Sequence, residues 1–154
     1  MQPLLQKIYK KSMQEPLKKI EAFLAEHHLL SLATSQNNIP YSASLFYAYD
    51  SEVKTFIVAS DPKTTHIQNV LANAQVSGTV ALETDEVGKI RGIQFSGTME
   101  MSSKEDAKVY FKEFPYARVM QPQLWIIKVE KIKMTDNRLG FGKKLYWNRS
   151  NCLV

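Results

Sequence analysis

The chain has 154 residues, 44% hydrophobic and 23% charged, with 20 Lys or Arg against 15 Asp or Glu for a net charge of +5. This is one domain's length, enough to bury roughly two-thirds of its unfolded surface, and the composition excludes a disordered chain. The single cysteine, Cys152, excludes an internal disulfide and a multi-cysteine metal site.

No apolar run approaches the roughly 18 residues of a membrane-crossing helix. The N-terminus, MQPLLQKIYKKSMQEPLKK, lacks the continuous apolar stretch of a signal peptide. A cytoplasmic protein with no membrane partner is expected. The charge is uneven. Residues 1–19 hold five Lys and one acid, Glu15, and residues 131–154 hold six Lys or Arg and one acid, Asp136. The body between them is net −4. Basic ends suit nucleic acid, an anionic surface, a phosphate, or plain solvent.

In chain order, Ser12 and Glu15 have capping-box spacing, and Leu17, Ile20, Phe23, Leu24 and His27 recur at helical spacing. They predict a helix over 13–28 with Pro16 in its first turn. Residues 1–12 then form an N-terminal extension. Leu29–Thr34, Ile39–Tyr49 and Val53–Ala59 read as strands, separated by turns at Gln36-Asn37-Asn38 and Asp50-Ser51-Glu52. Asp61 reads as a helix N-cap with Pro62 at the first helical position, and Ile67, Val70, Leu71 and Ala74 form the apolar face.

Val76–Leu82 predicts a fourth strand. Ile90–Met101 predicts a fifth, in which Gly92 and Gly97 suggest a bulge or a close approach. Ser102 and Glu105 repeat the capping-box spacing ahead of a helix that ends near Pro115. Leu124–Thr135 predicts a sixth strand, and 148–154 are expected to be a C-terminal tail. Short antiparallel strands with tight turns and intervening helices predict one mainly β domain, a β-barrel with peripheral α-helices.

Few residues carry recognisable chemistry. His27, His28 and His66 lie in no metal-binding motif, and no Ser occupies a nucleophile elbow. Gly140-Phe141-Gly142-Lys143-Lys144 lacks the spacing of a phosphate loop. The stretch 60–66 is more informative. A strand end leads into Ser60, then Lys63, Thr64, Thr65 and His66 gather at a helix start, where open N–H groups favour an anion. A capped helix with an exposed lysine is the plain alternative. Arg91 beside Gly92 is a second cation, for a ligand or a surface ion pair. Phe46, Tyr47 and Tyr49 suit either stacking on a planar ring or filling a core. Ser42 and Ser44 share one face of their strand; turned inward they leave space, turned outward they are ordinary surface.

Together, HHLLSLAT (27–34), SASLFYAYD (42–50), FIVASDPKTTHIQNV (56–70), IRGIQFSG (90–97) and FPYARVMQPQLWIIKVEKIKMTDNRLGFGKK (114–144), with Trp147, resemble the FMN-binding split-barrel superfamily. These are the pyridoxamine 5′-phosphate oxidase-like proteins, and the likeness is to the branch that includes the YhbP-like proteins. The resemblance implies a six-stranded antiparallel split barrel, a homodimer, and FMN in a cleft between subunits. By position, it implies that Ser42, Ala43 and Ser44 border the flavin ring, with Phe56 and Ile57 on the next strand. It implies that Ser60, Lys63 and Thr64 hold the phosphate, and that Arg91 and Gln94 reach the cofactor from the partner. Tyr47, Lys143 and Trp147 are candidates for the substrate side, and Trp125 is expected in the core. Pro62 stands where oxidases carry a further cation, and the tail YWNRSNCLV lacks the oxidases' Arg-Leu-x-Pro ending, which argues against pyridoxamine phosphate as substrate. The implied function is an FMN-dependent oxidoreductase acting on a small molecule. The alternatives are an FMN carrier or sensor without turnover, and a basic nucleic-acid-binding module.

Overall fold

The structure, a computed structural model, describes residues 3–152. Residues 1–2 of the expected extension and 153–154 of the expected tail lie outside it. The elements are α1 (Pro3–Glu26), β1 (Leu29–Gln36), β2 (Ile39–Asp50), β3 (Thr55–Ala59), α2 (Thr65–Ala72), β4 (Gln75–Ala81), β5 (Arg91–Met101), α3 (Lys104–Glu113), β6 (Leu124–Asp136) and β7 (Lys144–Asn148). All strand pairings are antiparallel.

Several boundaries differ from the sequence reading. Helix α1 begins at Pro3, so most of the expected extension is helical and Pro16 sits inside the helix. Leu, Gln and Lys are good helix formers and carry the helix through this stretch. Ser12 does not cap; its hydroxyl donates to the Tyr9 carbonyl at 2.8 Å. The capping box of α3 is Ser103 with Asp106, one residue later than its expected place. Val53 and Lys54 belong to a turn, with Lys54 at φ 56°. A seventh strand, β7, occupies part of the stretch after β6.

The strands run β3-β2-β1-β4-β5-β6, and β3 pairs with β6 to close a six-stranded barrel. Strand β6 spans 13 residues and serves two neighbours on one edge. Its first part pairs with β3, and residues 131–135 pair with β7. Its other edge pairs with β5.

The core alternates by strand. Leu30 and Leu32 point inward from β1, Val76 and Val80 from β4, Ile93 and Phe95 from β5. Ile20, Phe23 and Leu24 of α1 plug one end, and Ile67 and Val70 of α2 join the same core at the other. Helix α3 covers β2 and β3 with a smaller cluster of Ala48, Ile57, Tyr110 and Leu124.

One irregularity decides what faces outward. The register shifts at Ser96/Gly97, where Ser96 opposes Lys131 but Gly97 opposes Val129, leaving Glu130 as the extra residue of a bulge. A Cβ on Gly97 would collide with the Lys128 carbonyl oxygen. The bulge lets Ile127 and Val129 before it, and Ile132 and Met134 after it, all face the core.

Candidate functional site

The turn after β3 is anchored at its first residue. Ser60 N–H donates to the Gln123 carbonyl at 3.0 Å, and the Trp125 indole N–H donates to the Ser60 carbonyl at 3.0 Å. Asp61 then organises the turn rather than capping the helix: its carboxylate accepts from Lys63 N–H at 2.7 Å. The N-cap of α2 is Thr64, extended and without a side-chain cap. Its hydroxyl donates instead to the Asp61 carbonyl at 2.8 Å. The first N–H groups of α2 are thus left without a side-chain acceptor. Lys63, exposed beside them, has no ion pair for its ammonium among the described residues.

Beneath the turn lies His66, 7% exposed, at the start of α2. Its Nε2 is 2.6 Å from Ser60 Oγ and 3.3 Å from Thr64 Oγ1, and the two hydroxyls are 3.4 Å apart. Burial holds the imidazole below its ordinary pKa, so it is neutral at neutral pH. The sequence put His66 in this cluster but gave no sign that it links both hydroxyls. That follows from its burial on the inner side of the helix.

A cavity of about 320 Å³ opens on the outer surface of the barrel, lined by Ser31, Ala33, Ser42, Ser77, Thr79 and Gln94. Register explains this set. Ser31 opposes Ser44 and Thr79, Ala33 opposes Ser42 and Ser77, and Thr79 opposes Gln94. Ser42 and Ser44 therefore point outward, and together these strands present a shelf of short polar side chains. Ser31, Ala33, Ser77 and Thr79 were not singled out from the sequence. Their signal was alternation with Leu30, Leu32, Val76 and Val80, which reads equally as ordinary polar surface. Ala43 is half-buried on the inner side of β2. Phe46, on the outward side, is 60% exposed and meets Phe114 edge-on at 5.9 Å.

Other expected residues lie elsewhere. Phe56 is fully buried in the barrel and Ile57 under α3, so neither side chain is available to a ligand. Tyr47 is not on a substrate side; it is core, and its hydroxyl donates to the Leu24 carbonyl at 2.8 Å. Burial raises its pKa well above that of an ordinary phenol. Tyr49 is likewise tied inward, to Glu21 at 3.3 Å. Trp125 is core, as expected.

Arg91 and Gln94 diverge, since residues three apart on a strand face opposite sides. Gln94 lines the outer cavity. Arg91 stacks over Phe23 at 5.1 Å and pairs with Glu26 at 3.1 Å and Asp136 at 3.6 Å. It opposes Asp136 at the far end of β6, whereas Ala59, just before Ser60, opposes Leu124 at the near end. Within one chain, Arg91 is thus remote from the turn. Lys143 is exposed in the loop before β7, and Trp147 is buried opposite Ile132, its indole N–H without a hydrogen-bond partner among the described residues.

A family model described as pyridoxamine 5′-phosphate oxidase matches residues 16–136. The UPF0306 protein YhbP of Escherichia fergusonii is 37% identical over 141 residues, covering 89% of this chain and 96% of that protein. Among solved structures, a FAD-binding protein of Mesorhizobium loti superposes with a TM-score of 0.62 at 17% identity, over 75% of this chain and 89% of that one. HutZ, a heme storage protein of Vibrio cholerae, superposes with a TM-score of 0.58 at 16% identity, over 73% and 89%.

Proposed function

The chain belongs to the pyridoxamine 5′-phosphate oxidase family, and from that premise we propose that it is a flavoprotein that holds FMN and acts as an oxidoreductase on a small molecule. The observation that carries this reading is the open N-terminus of α2. Thr64 turns its hydroxyl away from the helix, leaving N–H groups beside the free ammonium of Lys63. Such a terminus with an adjacent cation suits a phosphate dianion. Ser60 adds a hydroxyl held in place by His66, while Thr64, whose hydroxyl proton goes to the Asp61 carbonyl, braces the turn.

The residues present fit FMN. The turn supplies phosphate donors, and the outer shelf supplies short side chains where a flat ring can approach the strands. When bound, the flavin supplies the redox chemistry. The chain's own part is to hold the phosphate, orient the ring with Ser42, Ser44 and Gln94, and shield it from water. A second copy of the chain would cover the shelf. Exposed Leu29 (51%), Ile39 (70%), Tyr41 (43%) and Phe46 (60%) on β1 and β2 favour such a homodimer.

The test is to purify the protein with added FMN and record the visible spectrum after desalting, with hemin as a parallel arm. Retained flavin absorbance and a rise in Tm with FMN support the reading. Hemin retention with no response to FMN would overturn it. A carrier or sensor would bind FMN but show no bleaching with reduced nicotinamide donors under anaerobic conditions.

A further inference from the structure

A second cavity, of about 460 Å³, lies on the outer surface of β5, β6 and β7 and includes Gln94, Lys131, Lys133, Tyr146, Asn148 and Asn151. It shares Gln94 and Phe95 with the cavity on β1, β2 and β4, so the two adjoin. The register builds it in two rows. Gln94, Lys133 and Tyr146 oppose one another, and so do Ser96, Lys131 and Asn148.

The charge of this surface is one-sided. Lys131 and Lys133 stand on the same face, about 6.6 Å apart along the strand, and neither has an ion pair among the described residues. Thr135 and Lys144 extend the same face, with Lys144 Nζ 3.1 Å from Thr135 Oγ1. No acidic residue belongs to these rows. Glu130, the extra residue of the bulge, is 3.8 Å from Arg149. Asp136, the one acid of the basic C-terminal stretch, is 3% exposed and paired with Arg138 and Arg91. The bulge is what turns both lysines outward, because it shifts the alternation of β6 by one residue.

Three lysines without counter-charges favour a multiply charged anion. The exposed Tyr146 ring offers a base a stacking surface, and the Gln94 amide offers hydrogen bonds. Contact with the first cavity favours a small ligand over a polymer. We propose that this face binds a nucleotide carrying more than one phosphate, next to the flavin. The adjacency rests on the flavin reading; the binding itself does not.

Isothermal titration calorimetry of the full chain with NADPH, and separately with ATP, tests the proposal. NADPH and ATP share the phosphates and the base and differ in redox capacity. At least one is expected to bind, about tenfold or more weakly to Lys131→Ala/Lys133→Ala, and with nearly native affinity to Lys131→Arg/Lys133→Arg. Preference for NADPH supports an electron donor, and preference for ATP supports an effector. Circular dichroism confirms that each variant is folded. No binding of either nucleotide, or equal binding by the alanine variant, overturns the proposal. Salt-sensitive binding of single-stranded RNA, with neither nucleotide bound, also overturns it. FMN is titrated in parallel. Loss of FMN binding with nucleotide binding intact sinks the flavin reading alone, and the reverse sinks this one alone.

Discussion

Ser60 Oγ and His66 Nε2 stand 2.6 Å apart across the turn that opens α2. The contact ties the end of β3 to the first turn of the helix, and Thr64 Oγ1 joins it at 3.3 Å from the same nitrogen. The turn is held from below by a neutral imidazole, while its outer side keeps N–H groups and an ammonium open. Trp125 holds it from the barrel side through the Ser60 carbonyl.

Lys63→Ala is expected to weaken FMN about tenfold, the order of one charge-assisted hydrogen bond, and to leave riboflavin binding unchanged. Fluorescence quenching titrations with both flavins check this. Equal loss for the two would make Lys63 a structural residue instead.

His66 carries a pH signature. Its folded pKa lies below its ordinary value because burial disfavours the imidazolium. The unfolded chain therefore binds more protons in the interval between the two values, and stability rises with pH there. The contribution is complete above about pH 6.5, the ordinary value, and is lost as pH falls through the lower folded value. Thermal melts from pH 8 to pH 5 should show Tm declining in the wild type and less so in His66→Gln. Parallel slopes for the two proteins would contradict the assignment.

Asp136 titrates in a different window. Its carboxylate accepts from Arg138 backbone and side chain, at 2.8–3.0 Å, and faces Arg91. The Arg138 hydrogen bonds hold its pKa below the usual carboxylate value. Stability from this group is present above about pH 4 and is lost as pH falls below it. Asp136→Asn leaves the half-exposed Arg138 without its anion and Arg91 with Glu26 alone, and should cost about 1.5 kcal/mol, read by urea denaturation at pH 7. At pH 3 the gap between variant and wild type should narrow.

Gly97→Ala is expected to destabilise the barrel by about 2 kcal/mol, because a methyl group there meets backbone rather than a movable side chain. Urea midpoints at unchanged slope measure it. Since Gly97 sits at the bulge that turns Lys131 and Lys133 outward, the same variant should also lower the affinity of the β5–β7 face for nucleotide.

Much of the fold was legible because burial imposes periodicity. Leu30 and Leu32, Val76 and Val80, and Ile93 and Phe95 alternate with polar residues, and strands follow from that alternation. Gly97 suggested a bulge or a close approach, and the register shift at Ser96/Gly97 bears that out. The start of α1 was misread because Ser12 and Glu15 carry the spacing of a cap that the helix does not use. Strand β7 was missed because its pairing partner, residues 131–135, is set by tertiary contact along a shared edge of β6.

The sequence by itself determined a mainly β fold, the clustering of Ser60, Lys63, Thr64 and His66 at a turn before a helix, and the excess charge of the C-terminal stretch, since each depends on residue type at short range. Only the tertiary structure decided which way those residues point. Phe56 and Ile57 went to the interior because the barrel and α3 enclose both faces of β3, and Tyr47 of β2 points into the barrel core against Phe56. Arg91 went to Glu26 and Asp136, since an arginine on the inner side of a strand needs partners when it leaves water. Ser31, Ser42, Ser77 and Gln94 came together from four strands through register alone. The basic stretch became a cationic face because Asp136 turned inward to its arginines and left three lysines outside.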